Sequence, residues 1–342
     1  MEETKRILRT LCEIAAISGY ENAGYTRLQT VIPQELFSEF RTVGVNNAVF
    51  IRRCGKEKAP LLLVDAHFDE IGMMVRSYAG NGCVKVAALG GLDLRCLLGN
   101  RVCLYGKETV NGIVCVPSKK DGKSVPPLEE ICIDTGLTDE ALRSSIPIGT
   151  PVGFSAELTD LQNDYVAAHA LDNRACCAAA LRMLSMLSDT DWDVAVMLSG
   201  TEESTQAGAQ TGTRVLRPDA AMVLDVNFAR APGIAEQDCD RMEMGPSVTV
   251  SARTNRNLTL SLLEFARKAD FPCQTCVCPM TTGTNADKIA QTGVPTVQLS
   301  VPLKNMHTPN EIVCLRDIYN TARLLAAYIK EGLPAWYRTG NA

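Results

Sequence analysis

Three histidines occur in the 342 residues, and two of them stand with carboxylates where a metal ion could be held. His67 lies in "VDAHFDE" (64–70), among Asp65, Asp69 and Glu70 and directly after the apolar run "LLLV". His307 lies in "MHTPNE". Further acids occur as Asp172 in "ALDNR", Glu202 and Glu203 in "TEE", and Asp225 in "VLDV". Imidazole nitrogens and carboxylate oxygens are the usual ligands of zinc-type ions in catalytic sites. Two histidines and three carboxylates suffice for two ions if one carboxylate bridges them. Such a pair can polarise a carbonyl while generating a nucleophilic hydroxide. The chemistry also needs a general base that is not consumed as a ligand. The Glu202–Glu203 pair suits this, because on an irregular turn one carboxylate can ligate while its neighbour faces the water. Asp69, two residues after His67, can accept the second ring N–H and fix the tautomer.

The elements that must position these groups can be read from the apolar patterning. Runs rich in β-formers predict buried strands at 60–66, 193–199, 220–226 and 295–301. Helical patterns lie between and after them. One covers 172–187, opening on Asp172 as a cap, and another covers 257–270, opening on Asn257. A third, at 315–332, ends in glycine. Alternating strands and helices predict an α/β fold, a sheet covered on both faces. In such sheets ligands gather outside the carboxyl ends of the strands. His67, the Glu202–Glu203 pair, Asp225 and His307 each follow or end one of the four predicted strands, and Asp172 at a helix start can join them. Taken singly, each has a plainer explanation, such as a solvated loop or a helix cap; their convergence on one edge is what points to a site. From 71 to 164 the pattern changes to glycine-punctuated short strands such as "CVKVAAL", "NRVCLYG" and "NGIVCVP". That predicts a small β-barrel or sandwich inserted into the α/β domain, which then comprises 1–70 and 165–342.

Bulk properties exclude other classes. A net charge of −5 without a lysine or arginine cluster argues against nucleic-acid binding. No apolar run approaches the roughly 20 residues of a membrane helix. The acidic start "MEETKRILRTLCEIAAISG" lacks the basic, then unbroken apolar pattern of a secretory signal, so a cytoplasmic protein is expected. Its 14 cysteines are scattered and often sit in apolar runs, the pattern of reduced, buried thiols. "CQTCVC" (273–278) has no second pair at zinc spacing and is expected to pack as a strand.

The ordered set "AHFDEIG", "ALDNR", "TEE", "VLDV" and "MHTPNE" resembles the glutamyl aminopeptidase family, which includes the tetrahedral aminopeptidases and belongs with the dinuclear zinc exopeptidases. The resemblance runs from about residue 18 to 313 and includes the insertion. It implies a three-layer α/β/α catalytic domain with an inserted β-barrel used for dimerisation. It also implies homo-oligomers reaching dodecamers, and removal of single N-terminal residues from peptides with two divalent ions, zinc or cobalt, with manganese also able to bind. By motif, Asp172 would bridge the ions, His67 and Asp225 would complete one site, and Glu203 and His307 the other. Glu202 would be the general base and Asp69 the support of His67.

Departures from the family pattern include "STQAGAQTG" after the glutamate pair, Cys176 after "DNR", and Asn285 where many members carry aspartate. None removes a ligand, but they bear on substrate preference. His169 is expected to be structural. A two-carboxylate glycosidase would gain nothing from paired histidines, and 5% aromatic residues offer few sugar platforms. A non-catalytic scaffold would have no use for the intact ligand set. "DGKS" (121–124) resembles the end of a P-loop, but Pro117 stands where the first glycine is required, which predicts an exposed turn.

Overall fold

The computed structural model describes residues 1–116, 125–155 and 157–333. The "DGKS" stretch therefore lies outside the described residues. Strands β1 (Glu39–Val43), β2 (Asn47–Arg52) and β3 (Leu61–His67) precede the insertion. After β3 the chain closes a six-stranded antiparallel barrel from β4 (Gly72–Gly80), β5 (Cys83–Leu89), β6 (Arg101–Tyr105), β7 (Thr109–Val114), β8 (Ile133–Asp134) and β9 (Pro151–Phe154). It then returns through β10 (Thr159–Asp160), β11 (Tyr165–Ala168), β12 (Asp193–Ser199), β13 (Ala220–Phe228), β14 (Ser247–Val250), β15 (Gln274–Val277), β16 (Thr296–Lys304) and β17 (Glu311–Cys314).

The large sheet runs β1-β2-β12-β3-β13-β16-β17-β11-β10, with β14 on β16 and β15 beyond it. Its centre, β12-β3-β13-β16, is parallel. Every residue of β12 is buried and so are all but the first of β3, because helices cover both faces. One face of β3 (Leu62, Val64, Ala66) joins a core with the helices Glu2–Cys12, Leu171–Met186 and Leu315–Ala327. The other face packs Leu63, Ala195, Met197 and Val223 against Ala209 and Leu216 of the helix Ala207–Leu216 and Ala286 and Ile289 of the helix Asn285–Ala290. The result is three layers. The barrel has its own core, including Met73, Val75, Val86, Val102, Leu104 and Val152.

The four predicted central strands form, 193–199 with its ends unchanged and the others with ends shifted by at most three residues. Two helix starts differ from expectation. Asn255, not Asn257, caps the helix Arg256–Lys268, its side chain accepting from Leu258 N–H at 3.0 Å and placing Leu258, Leu262 and Ala266 inward. Asp172 is not a cap. It lies inside the segment Leu171–Met186 with a non-helical backbone (φ −77°, ψ 100°), its own N–H given to Glu311 and its carboxylate engaged by two histidines. The third helix turns from α into a π turn at Tyr328–Gly332. The described cysteines are all free, and Gln274–Val277 of "CQTCVC" is a strand. Among the described residues, no helix is long and apolar enough to cross a membrane.

The loop after β12 is clamped from below by the helix Ala207–Leu216. A Cβ on Gly208 would stand 2.1 Å from the Gly200 carbonyl oxygen and 2.7 Å from Asn47 Oδ1, which itself accepts from Gly200 N–H. Gly208→Ala must therefore push the helix off the loop, an overpacking that costs about 1–3 kcal/mol. Thermal unfolding should show a melting point lower by several degrees, and an unchanged melting point would contradict this packing.

Candidate metal centre

The carboxyl ends of the parallel strands meet at one edge of the sheet. β3 ends on His67, β12 ends at Ser199 just before the loop carrying Glu202 and Glu203, and β13 contains Asp225. His307 follows β16 in a left-handed conformation (φ 62°). Asp172 follows β11, which runs parallel to β16 because both are antiparallel to β17; it stands ahead of the helical turns of Leu171–Met186, and its peptide bond to Asn173 is cis.

Asp172 stands between the two histidines. His67 Nε2 is 3.1 Å from its Oδ1, and His307 Nε2 is 3.3 Å from its Oδ2. Asp225 lies 3.6 Å from His67 Nε2 on one side, and Glu203 lies 3.5 Å from His307 Nε2 on the other. The possible ligand atoms of His67, Asp172 and Asp225 all fall within 4.8 Å of one another, as do those of Asp172, Glu203 and His307. Ligand atoms about 2.0–2.1 Å from a tetrahedral ion are about 3.4 Å apart, so these separations suit two N/O-ligated ions. The tautomer agrees. His67 Nδ1 lies 3.1 Å from the carbonyl oxygen of Asp69 and donates to it, so Nε2 turns its lone pair towards two acids. That arrangement is stable only with a cation or a proton between them.

Electrostatics describe the same need. Burial works against a charge on His67, but the carboxylates of Asp172, Asp225 and Asp69 outweigh it and raise its pKa well above the ordinary value. His307 is pushed up to about 11 by its hydrogen bonds to Asp172 and Glu203. Burial opposes the charge of Asp172, yet hydrogen bonds from His307 and His67 pull its pKa below the ordinary range. Asp225 and Glu203 are raised, chiefly by burial. Glu202 is pushed up to about 8, again chiefly by burial, while Gln206 Nε2 donates to its Oε1 at 2.7 Å and works the other way.

The side chains around these groups hold them in place. Asp69 does more than the sequence reading gave it. Its carboxylate is 3.6 Å from His67 Nδ1, and it is the Asp69 carbonyl that fixes the ring. The carboxylate itself accepts from the backbone N–H groups of Glu202 (2.9 Å) and Glu203 (3.1 Å), tying the glutamate loop to the histidine strand. Glu311, missed in the sequence although it ends the "MHTPNE" motif, accepts from His307 N–H at 2.7 Å and Asp172 N–H at 2.9 Å. Cys176 and Cys177 donate to the carbonyls of Asp225 (2.9 Å) and His67 (3.0 Å). From the barrel side, a Cβ on Gly91 would stand 2.8 Å from His307 Nδ1, so only glycine fits there. His169 lies outside this group, 3.3 Å from Glu70, whose Oε1 accepts from Ala16 N–H at 2.8 Å. Asp65 sits two residues below His67, bonded to Asn285 at 3.1 Å, with burial raising its pKa to about 7.

A cavity of about 480 Å³ opens on the acids and histidines, walled by residues such as Gln206, Asn227, Thr282 and Met306.

Comparison with known proteins agrees with this geometry. Residues 47–324 match the M42 glutamyl aminopeptidase family model. The lysyl aminopeptidase of Pyrococcus furiosus is 28% identical over 340 residues, covering 96% of this chain and 97% of that protein. An aminopeptidase structure from the archaeon Desulfurococcus kamchatkensis superposes with a TM-score of 0.92 at 28% identity, covering 100% of this chain and 99% of the other. The TET1 peptidase of Pyrococcus horikoshii, described as assembling into a tetrahedron or a large octahedral shell, shares the fold with a TM-score of 0.84 at 23% identity, covering 96% and 99%. The chain belongs to the M42 glutamyl aminopeptidase family, and it is a metal-dependent aminopeptidase.

Proposed function

We propose that the chain removes single residues from the N-termini of peptides at a centre of two divalent ions bridged by Asp172. The observation that carries this is the Asp172 carboxylate itself, each of whose oxygens faces a different histidine. His67 and Asp225 complete one site, Glu203 and His307 the other. Zinc or cobalt suits this set, and manganese accepts similar ligands. Bound there, the ions supply Lewis acidity at the scissile carbonyl and lower the pKa of water towards about 7.

The protein's own groups do the rest. Glu202 lines the cavity and is left out of both ligand triads. It takes a proton from the attacking water and delivers it to the departing amine. Gln206 holds Oε1 of Glu202, and Asp69 fixes the backbone on which Glu202 stands. Four carboxylates around the cavity attract the free amine of a peptide, which favours exopeptidase over endopeptidase action. We further propose a cytoplasmic homo-oligomer built from dimers through the barrel, with a dodecamer as the closed form. The fold shared with a shell-forming peptidase supports this reading.

Hydrolysis of aminoacyl-nitroanilides and short peptides after chelation, then with zinc, cobalt or manganese restored, tests the proposal. Single N-terminal residues should be released only when metal returns; a panel untouched under every metal would count against it. Glu202→Gln should keep both ions and lose about 10²–10⁴-fold in kcat. Metal-replete variant protein with wild-type rates would remove Glu202 from the base role. Because His67 and His307 hold protons in the ion-free protein, an incoming cation must displace them. Uptake should release protons at pH 7 and weaken as pH falls, as read by calorimetry in buffers of different ionisation enthalpy. Proton-neutral uptake would contradict the assigned ligands.

A further inference from the structure

We propose that this enzyme prefers uncharged, mainly apolar N-terminal residues, and that the wall formed by the end of β13 and the 282–284 loop sets the preference. The inference rests on the aminopeptidase reading above. With the free amine and the scissile carbonyl at the acids and histidines, the first side chain must enter the cavity of about 480 Å³ beside them. Among the described residues lining it, no lysine or arginine occurs, and the ionisable groups are those of the metal centre and Glu202. The remaining wall includes Val226, Asn227, Phe228, Thr282, Thr284 and Met306.

Its polar atoms are already committed within the protein. Asn227 Nδ2 donates to Asp240 at 2.8 Å, and its Oδ1 accepts from Phe228 N–H at 3.0 Å. Thr282 Oγ1 donates to Asp287 at 2.9 Å and lies 3.0 Å from Thr284 Oγ1, which in turn lies 3.2 Å from Gln298 Oε1. Gln206 is held by Glu202. Away from the acids and histidines, the wall thus offers the apolar side chains of Val226, Phe228 and Met306, with the Asn227 carboxamide and the Thr282 and Thr284 hydroxyls paired to protein partners. An ammonium or carboxylate seated against this wall, away from the metal centre and Glu202, loses water without gaining a counter-charge from it. A hydrocarbon side chain sheds water against apolar walls at no such cost. A glutamyl preference would need a cation in this wall, and a lysyl preference would need an acid in it; among the described residues of the lining the acids are the proposed ligands and the proposed base Glu202, and the wall holds neither.

The test uses metal-replete full-length enzyme, with kcat/KM measured on leucyl, methionyl, lysyl and glutamyl nitroanilides. Binding of free leucine, lysine and glutamate is measured in parallel by calorimetry. Leucyl or methionyl substrates should exceed both charged ones at least tenfold, and leucine should bind most tightly of the three. Phe228 is 47% exposed at the cavity rim, so charges placed there do not disturb the core. Phe228→Lys should raise the glutamyl-to-leucyl ratio at least threefold, and Phe228→Glu should raise the lysyl-to-leucyl ratio similarly. A wild-type preference for lysyl or glutamyl substrates, or ratios unmoved by both variants, would overturn the specificity while leaving the aminopeptidase reading intact. No turnover of any substrate would overturn that reading, and the specificity with it.

Discussion

The structure is organised around one shared carboxylate. Asp172 lies between His67 and His307, so one carboxylate must meet two histidines at once. Several otherwise unrelated features serve that requirement. Glu311 binds the N–H groups of both Asp172 and His307, which fixes the spacing between carboxylate and ring. The non-helical backbone at Asp172 aims its side chain along the sheet edge instead of into a capping bond. Asp69 joins the strand of His67 to the loop of Glu203. A shift in any one element would carry one half of the centre away from the other.

Such a concentration of buried acids is costly for the fold. Burial raises the pKa of Asp225, Glu203 and Glu202, and each bears part of the unfavourable cost of a charge out of water. The two histidines offset part of this in the ion-free protein, and divalent ions would offset more. The rest of the molecule supplies the stability the site lacks: largely buried parallel strands, helices on both faces, and an inserted barrel with a separate core. The barrel also reaches the site. Gly91 follows β5 and lies directly against His307, so the insertion helps to shape the second half of the centre.

Much of this was legible in the sequence, because the informative signals were local and periodic. Four apolar runs predict the central strands, and a histidine or carboxylate follows or ends each one. The switch to short, glycine-punctuated segments predicts a separate small β unit after β3, barrel or sandwich, and the strands close as a barrel. What escaped depends on contacts between distant segments. Glu311 is 139 residues from the Asp172 N–H it accepts, and no pattern near "MHTPNE" reveals that partner. Asp172 looks like a helix cap because aspartate before a helical run usually is one; only the histidines on either side show why it is not. Asp69 was assigned to the ring two residues away, whereas its carboxylate holds a loop more than 130 residues distant. The hydrogen bond from Gln206 to Glu202 spans four residues, but it forms where Gln206 has a left-handed backbone, which its sequence does not announce.

If Asp172 is shared between two ions, both must lie within reach of its carboxylate. Anomalous diffraction from crystals of zinc-loaded protein, recorded above and below the zinc edge, tests it most directly. Two peaks should flank the Asp172 carboxylate, one beside His67 and Asp225 and one beside His307 and Glu203. A single peak bound by both histidines, or peaks remote from Asp172, would contradict it.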